Sequence, residues 1–143
     1  MADAAAIRPA RPDDVEQVLA LWRESEASPS PTDTRDGVLR LLGEAAAVLL
    51  VAEADGRLVG TVIGGWDGWR GNIYRLAVLA AYRRRGIARA LIGAADRRLH
   101  RMGARRISAL VEREHPWATD FWDSLEASGY RHDERMRRYI KTF

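Results

Sequence analysis

The 143-residue sequence contains no cysteine, which excludes disulfides, thiolate zinc sites and a covalent cysteine nucleophile. Because this suits a reducing compartment, and because the N-terminal residues show no signal-peptide pattern, we expect a cytoplasmic protein. No apolar run approaches the ~18 residues that a membrane-spanning helix needs, so no membrane partner is expected. The motif G-x-x-x-x-G-K-S/T is missing, which excludes a P-loop nucleotide enzyme. Histidines and carboxylates are not spaced like a metal-ligand set, so no metal is expected.

Apolar residues make up 47% of the chain, enough for one full core, so we predict a single domain over residues 1–143. Charge is unevenly divided. Residues 1–72 carry 7 basic and 12 acidic side chains, whereas residues 73–143 carry 16 basic and 8 acidic ones, a net of +8. The second half can therefore attract an anion, although a solvated arginine-rich surface explains the same charge more simply.

Hydrophobic spacing and turn signals predict alternating strands and helices. The predicted strands are a short segment around Ile7 and residues 48–52, 58–63, 72–79, 107–111, 130 and 136–140. The predicted helices cover residues 12–22, 38–45, 87–102 and 116–128. Asp55-Gly56 is a two-residue hairpin signal, and strand 107–111 should run parallel to strand 72–79 through a right-handed crossover. The order β-α-α-β-β-β-α-β-α-β-β predicts an α/β fold with a mixed sheet.

The segment Tyr-Arg-Arg-Arg-Gly-Ile-Ala-Arg at residues 82–89 lies between a predicted strand and a predicted helix. The first N–H groups of a helix have no intrahelical acceptors, and the helix dipole adds positive charge there. Gly86 lets the backbone approach a ligand closely, and Ala88 keeps the next approach small. Three arginines add full charge, although they could also form a plain solvated turn. We interpret this segment as a pyrophosphate site.

The element order together with Arg83-x-x-Gly86-x-Ala88 resembles the GNAT superfamily of acetyl-coenzyme A-dependent N-acetyltransferases, in particular its small bacterial single-domain members. The resemblance covers nearly the whole chain. Residues 51–61 look like the central hairpin of that family, residues 74–78 like its cofactor-side strand, and Gly129-Tyr130 like its C-terminal ending. It implies a mostly antiparallel central sheet with flanking helices.

By this resemblance, backbone N–H groups between Arg84 and Ala88 should hold the pyrophosphate of coenzyme A. The pantetheine arm should pair with the strand backbone, and an N–H near Val78 should stabilise the oxyanion. The cofactor-binding residues implied are Leu76, Ala77, Val78, Arg83, Arg84, Arg85, Gly86, Ile87 and Ala88.

The sequence departs from the family pattern where proton transfer is concerned. Many relatives have a catalytic glutamate where this chain has Asn72, and a thiolate-protonating tyrosine where this chain has Trp122 or Leu125, depending on the alignment. The residues that follow the fifth predicted strand are the remaining candidates for acid–base work: Glu112, Glu114 and His115. Solvated surface charge is the alternative for each, and Tyr130 and Tyr139 are further candidates for the acid.

The acceptor side is less clearly marked. Trp66, Trp69 and Trp117 could line an acceptor pocket, and Asp67 could receive a cationic amine. Large aromatic side chains are more often packing residues, and turn aspartates usually form local hydrogen bonds.

We therefore predict a cytoplasmic acetyltransferase that transfers an acetyl group from acetyl coenzyme A directly to a primary amine. The acceptor could be a small molecule, an antibiotic-like amine or a protein N-terminus, and a homodimer is an open option. A GNAT-fold protein that binds acyl-coenzyme A without catalysis is the first alternative. A basic nucleic-acid-binding module is the second, although no signature of one is present.

Overall fold

The computed structural model describes residues 5–143, and its contacts group the chain into two compact units, one ending at Ala109 and one from Leu110 to Phe143. The single domain predicted over residues 1–143 stays a prediction. The first unit contains all the strands and three helices of the described chain. They are β1 (Ala6–Pro9), α1 (Val15–Glu24), α2 (Arg35–Leu42), β2 (Ala47–Ala54), β3 (Arg57–Trp66), β4 (Gly71–Val78), α3 (Ile87–Met102) and β5 (Ile107–Ala109). The second unit contains α4 (Pro116–Asp123) and a 3-10 turn at Glu126–Ser128.

The five strands form one sheet in the order β1-β2-β3-β4-β5. The first three pairings are antiparallel, and only β4 and β5 are parallel, joined through α3. The hairpin between β2 and β3 turns at Asp55 and Gly56, whose φ angles of 53° and 73° are the left-handed values that a two-residue hairpin turn requires. The predicted α/β fold with a mixed, mostly antiparallel sheet is thereby confirmed.

Helices cover both faces of this sheet. A Cβ at Gly60 in β3 would lie 3.0 Å from Leu91 of α3, whereas the next residue, Thr61, bonds to Trp22 of α1. Successive residues of a strand point to opposite faces, so α3 packs on one face and α1 on the other. The missing side chain at Gly60 allows α3 to approach β3 closely, which buries Leu91 and Ile87 against the sheet.

The C-terminal strands predicted at residues 130 and 136–140 are absent, because residues 130–143 form neither helix nor strand. Met136, Tyr139 and Ile140 are largely exposed, at 72%, 87% and 71%. A strand needs a hydrogen-bonded neighbour, and the described part of the second unit contains no strand. The predicted fourth helix is also shorter, since it ends at Asp123, and β5 ends at Ala109 rather than at residue 111.

One ion pair ties β1 to the start of α1. The two guanidinium nitrogens of Arg8 donate to Asp14 at 2.7 and 3.0 Å, and the Arg11 N–H donates to the same carboxylate at 2.7 Å. Asp14 is only 5% exposed. The hydrogen bond from Arg8 lowers the pKa of Asp14 below its ordinary value of 3.8, with a further contribution from the Arg11 N–H. The ionised carboxylate therefore stabilises the fold.

We predict that Asp14→Asn lowers the free energy of unfolding at pH 7 by about 1.5–3 kcal/mol, the usual contribution of a charged hydrogen bond. The folded-state pKa is the lower one, so this contribution is complete above the unfolded value and is lost as the pH falls through the folded value. Urea unfolding should therefore show a wild-type advantage that shrinks below about pH 4. Glu24→Gln removes an exposed pair with Arg57 and should cost less than ~1 kcal/mol. An equal loss in both variants would contradict the role given to Asp14.

Candidate active site

The turn between β4 and α3 has the backbone geometry of an anion site. Gly86 is the N-cap of α3 with φ 84°, and Arg84 is also left-handed with φ 64°. The first N–H groups of α3 have no acceptors within the helix, and no acidic side chain lies in its first turn to compete with an anion. A Cβ at Gly86 would meet no protein atom within 4 Å, so the turn is open on that side.

The three arginines of this turn have different roles. Arg83 folds inward, and its Nε donates to the Val78 carbonyl at 3.0 Å while Nη2 approaches the Ser25 carbonyl at 3.5 Å. Arg84 and Arg85 are exposed. Arg83 therefore ties the turn to the end of β4, and the exposed positive charge of the turn belongs to the other two arginines.

A contact with the β2–β3 hairpin holds the turn from outside. The Tyr82 hydroxyl donates to Asp55 at 2.8 Å, and this hydrogen bond raises the pKa of Tyr82 because it favours the protonated phenol. The guanidinium of Arg85 lies 4.9 Å from the centre of the Tyr82 ring. These contacts orient Arg85 alongside the helix N-terminus. Nothing in the sequence pattern indicated them, because the two segments are far apart in the chain.

β4 has an open edge that leads into this turn. β5 pairs only with residues from Gly71 to Ile73, so within the first unit the rest of β4 has a strand on the β3 side alone. The Leu79 N–H donates to Val59 of β3 at 2.9 Å. Since N–H groups alternate along a strand, Val78 directs its N–H away from β3, toward the open edge. The predicted cofactor residues Leu76, Ala77 and Val78 thus form the last part of this edge.

A β-bulge precedes that edge. The register between β3 and β4 shifts between Thr61 and Ile63, and Arg75 at the bulge has φ 51°. A left-handed conformation costs a residue with a Cβ roughly 1–2 kcal/mol, so surrounding contacts must hold it. Thr61 Oγ1 donates to the Arg75 carbonyl at 2.9 Å, and the guanidinium is bound by Asp33. The sequence analysis missed Arg75, because no local signal predicts a positive φ for arginine.

The predicted acceptor residues are not brought to the turn at Gly86. The Trp66 ring lies against Gly103, at the opposite end of α3, and 16 helical residues span about 24 Å. Asp67 accepts backbone hydrogen bonds from Arg70 and Trp69 at 2.7 and 2.8 Å, which lower its pKa. The structure therefore gives Asp67 the local role named as its alternative. Trp69 is 72% exposed, and the acceptor role of all three stays a prediction.

The predicted acid–base residues belong to the second unit. Glu112 and Glu114 are exposed, and His115 is the N-cap of α4, with its Nε2 4.0 Å from the Glu112 carboxylate. Along α4 the Trp117 and Phe121 rings stack, with centroids 6.1 Å apart. The catalytic role of Glu112, Glu114 and His115 is not tested by these contacts and stays a prediction.

Two negative findings hold for residues 5–143. No group of three or more histidine or acidic residues there is arranged to hold a metal ion. No helix in that range is long and apolar enough to cross a membrane.

Comparison with known proteins identifies the family. The sequence model of the acetyltransferase (GNAT) family matches residues 15–126, which include the bulge, the open edge and the turn. The chain belongs to this family. An acetyltransferase of Pectobacterium atrosepticum is 36% identical over 120 residues, covering 84% of this chain and 85% of that protein.

Solved structures share the fold. The aminoglycoside N-acetyltransferase AAC(6')-Iy, in complex with a bisubstrate analogue, has a TM-score of 0.77 and 22% identity over 99% of this chain and 100% of its own. The PaiA N-acetyltransferase of Thermoplasma acidophilum, in complex with coenzyme A, also has a TM-score of 0.77, with 18% identity over 85% of this chain and 88% of its own.

Membership of the GNAT family makes the chain an N-acetyltransferase that uses acetyl coenzyme A as its acyl donor, which confirms the predicted enzyme class and cofactor. The individual residues predicted to bind the cofactor are a separate matter. The fold gathers them along one edge and turn, and their role in binding the coenzyme stays a prediction.

We predict that Gly86→Asp weakens coenzyme A binding more than about tenfold relative to Gly86→Asn, because a charged phosphate contact is worth roughly 1.5–3 kcal/mol. Asparagine and aspartate tolerate the left-handed conformation similarly and have nearly the same shape, so the pair isolates the charge. Isothermal titration calorimetry with free coenzyme A measures the effect. Equal affinity of the two folded variants would rule out a phosphate at this turn.

Proposed function

We propose that this protein transfers an acetyl group from acetyl coenzyme A directly to a primary amine in a ternary complex. The proposal is supported most strongly by two features that follow each other in the first unit, the open edge of β4 and the turn at the start of α3. The open edge of β4 ends at Val78, and the turn at Gly86 begins α3 eight residues later. A ligand with an amide-rich arm and a pyrophosphate matches the two features in that order.

The pyrophosphate is assigned to the N–H groups from Arg84 to Ala88. This assignment is supported by the first N–H groups of α3, which have no acceptors within the helix, by the lack of acidic side chains in that turn and by the exposed positive charge of Arg84 and Arg85. Arg83 contributes indirectly, since its guanidinium is committed to the Val78 and Ser25 carbonyls. It holds the turn to β4 and leaves phosphate binding to the backbone.

The pantetheine arm is assigned to the β4 edge at Leu76, Ala77 and Val78. Amide groups of the arm can pair with an unpaired strand edge as an added strand does. The Val78 N–H, directed to that side, is then a donor for the oxyanion that develops on the thioester carbonyl. A preorganised donor of this kind stabilises charge that forms only during the reaction.

The chemistry requires a neutral amine. An alkyl ammonium has a pKa near ~10, so a proton must leave before the nitrogen attacks the thioester carbon. The carbon–sulfur bond then breaks, and the departing thiolate takes up a proton. Asn72 of β4 cannot act as a base, so we propose that water transfers these protons with help from Glu112, Glu114 or His115.

A screen of amine classes tests the proposed transfer. Because structural neighbours include aminoglycoside acetyltransferases, amino sugars are the first class to test, followed by polyamines and peptides with free N-termini. Thiol release from acetyl coenzyme A should be observed with at least one class. With that acceptor, kcat/KM should rise with pH toward the amine pKa, as the neutral fraction of the acceptor grows. Tight coenzyme A binding without thiol release in any class would favour a non-catalytic acyl-coenzyme A binder.

A shared, water-mediated proton transfer predicts small effects from single changes. We expect Glu112→Gln, Glu114→Gln and His115→Ala each to lower kcat/KM by about tenfold or less, below the ~10²–10⁴ that a dedicated acid or base contributes. Steady-state kinetics over a pH range measure this, with Tyr130→Phe for comparison. A thousandfold loss in one variant, with unchanged cofactor affinity, would identify a dedicated group and refute the shared role.

A further inference from the structure

We propose that Asp33 and Arg75 form a positioning pair, which orients the acyl-donor edge of β4 and so raises the rate of transfer without touching the reacting atoms. The proposal rests on the proposed function, because it takes that edge to be the binding place of acetyl coenzyme A. Neither residue is among the predicted site residues. The pair is inferred from the contacts around the β4 bulge.

The backbone at the bulge is held in an unfavourable conformation. Arg75 is one of four non-glycine residues with positive φ among those described, and it alone of them lies inside a strand. Backbone strain in a well-packed strand persists only where neighbouring groups determine the conformation, and such places are often functional. Leu76 and Val78, which lie on the open edge of β4, follow Arg75 by one and three residues.

Two buried side chains hold the bulge from the face of the sheet that α1 covers. Trp22 donates from Nε1 to Thr61 Oγ1 at 2.9 Å, and Thr61 donates from Oγ1 to the Arg75 carbonyl at 2.9 Å. Trp22 is 4% exposed and Thr61 is fully buried. The guanidinium of Arg75 also lies over the Trp22 ring, 5.3 Å from its centre. These two hydrogen bonds fix the carbonyl of Arg75, but they do not fix the direction of its side chain.

Asp33 fixes that direction and connects it to a loop. The Arg75 Nε donates to Asp33 Oδ1 at 3.2 Å, and Nη2 donates to Oδ2, so the contact is bidentate. The Ser30 N–H donates to the same carboxylate at 3.0 Å, and the Asp33 N–H donates to the Ser30 carbonyl at 3.0 Å. Asp33 therefore closes a turn in the loop between α1 and α2 and at the same time binds the bulge. Its side chain and that of Arg75 are only 19% and 18% exposed, so solvent screens the pair little.

The bulge determines the direction of the Val78 N–H relative to the thioester. If Arg75 relaxes to an ordinary strand conformation, the register of the next residues changes, and the Val78 N–H turns relative to the thioester. A misplacement of about 1 Å can cost roughly a hundredfold in rate. Binding should suffer less than the rate does, because the pyrophosphate contacts at Gly86 do not depend on the bulge and only the pairing of the arm with the edge is disturbed.

The test uses Asp33→Asn, which keeps the shape and the turn but removes the charge. We expect kcat to fall about tenfold or more while KM for acetyl coenzyme A changes less than about threefold. Arg75→Lys, which cannot form the bidentate contact, should have a similar effect, and the double variant should be no worse than the more impaired single one. Glu16→Gln is the matched control, since it removes an Arg–carboxylate pair between α1 and α2 whose side chains are exposed and do not bond to Arg75. It should retain wild-type kcat.

A second measurement on the ligand-free protein does not depend on activity. The amide NMR signals of Leu76 and Val78 should shift in Asp33→Asn and remain unchanged in Glu16→Gln. Unchanged signals in Asp33→Asn, kcat within twofold of wild type, or losses that multiply in the double variant would each overturn the positioning role. If the wild-type protein fails to bind coenzyme A, the proposed function is wrong, and the NMR comparison alone decides whether the pair orients the edge.

Discussion

The left-handed backbone of Arg75 is the constraint that shapes the outer edge of β4. A regular strand would carry β4 along β3 without interruption, and its outer edge would be flat. The bulge turns the last residues of β4, and it exists because Thr61 bonds the Arg75 carbonyl from the α1 face while Asp33 binds the side chain. Thr61 is fully buried, so water cannot replace its bond, and the Asp33–Arg75 pair is largely shielded from solvent.

The arginines of the turn at Gly86 make different contacts. Three consecutive arginines look equivalent in the sequence, but the guanidinium of Arg83 donates hydrogen bonds to backbone carbonyls of the protein. Arg85 lies against Tyr82, which is itself bonded to Asp55 of the β2–β3 hairpin. The hairpin, β4 and the start of α3 are therefore connected by side chains.

Much of the fold could be predicted from the sequence, because the signals are local. Asp55-Gly56 predicts a tight hairpin, Gly103 with φ 115° follows the last residue of the predicted helix 87–102, and the strand–turn–helix segment around Gly86 is marked by residue type. The C-terminal residues were the main failure. The residue types of Tyr139 and Ile140 favour a strand. A strand forms only beside a hydrogen-bonded neighbour, and residue types alone do not show whether such a neighbour is present.

Residue types at short spacing were sufficient to predict the order of the elements from β1 to α4, the hairpin, the position of the basic turn and the family. The tertiary structure alone decided which groups meet. Trp22 and Thr61 are 39 residues apart, and Asp33 and Arg75 are 42 apart, so no local pattern pairs them. The same holds for the inward direction of Arg83 and for the positive φ of Arg75. These features arise from packing, in which buried polar groups must find partners wherever the fold brings them.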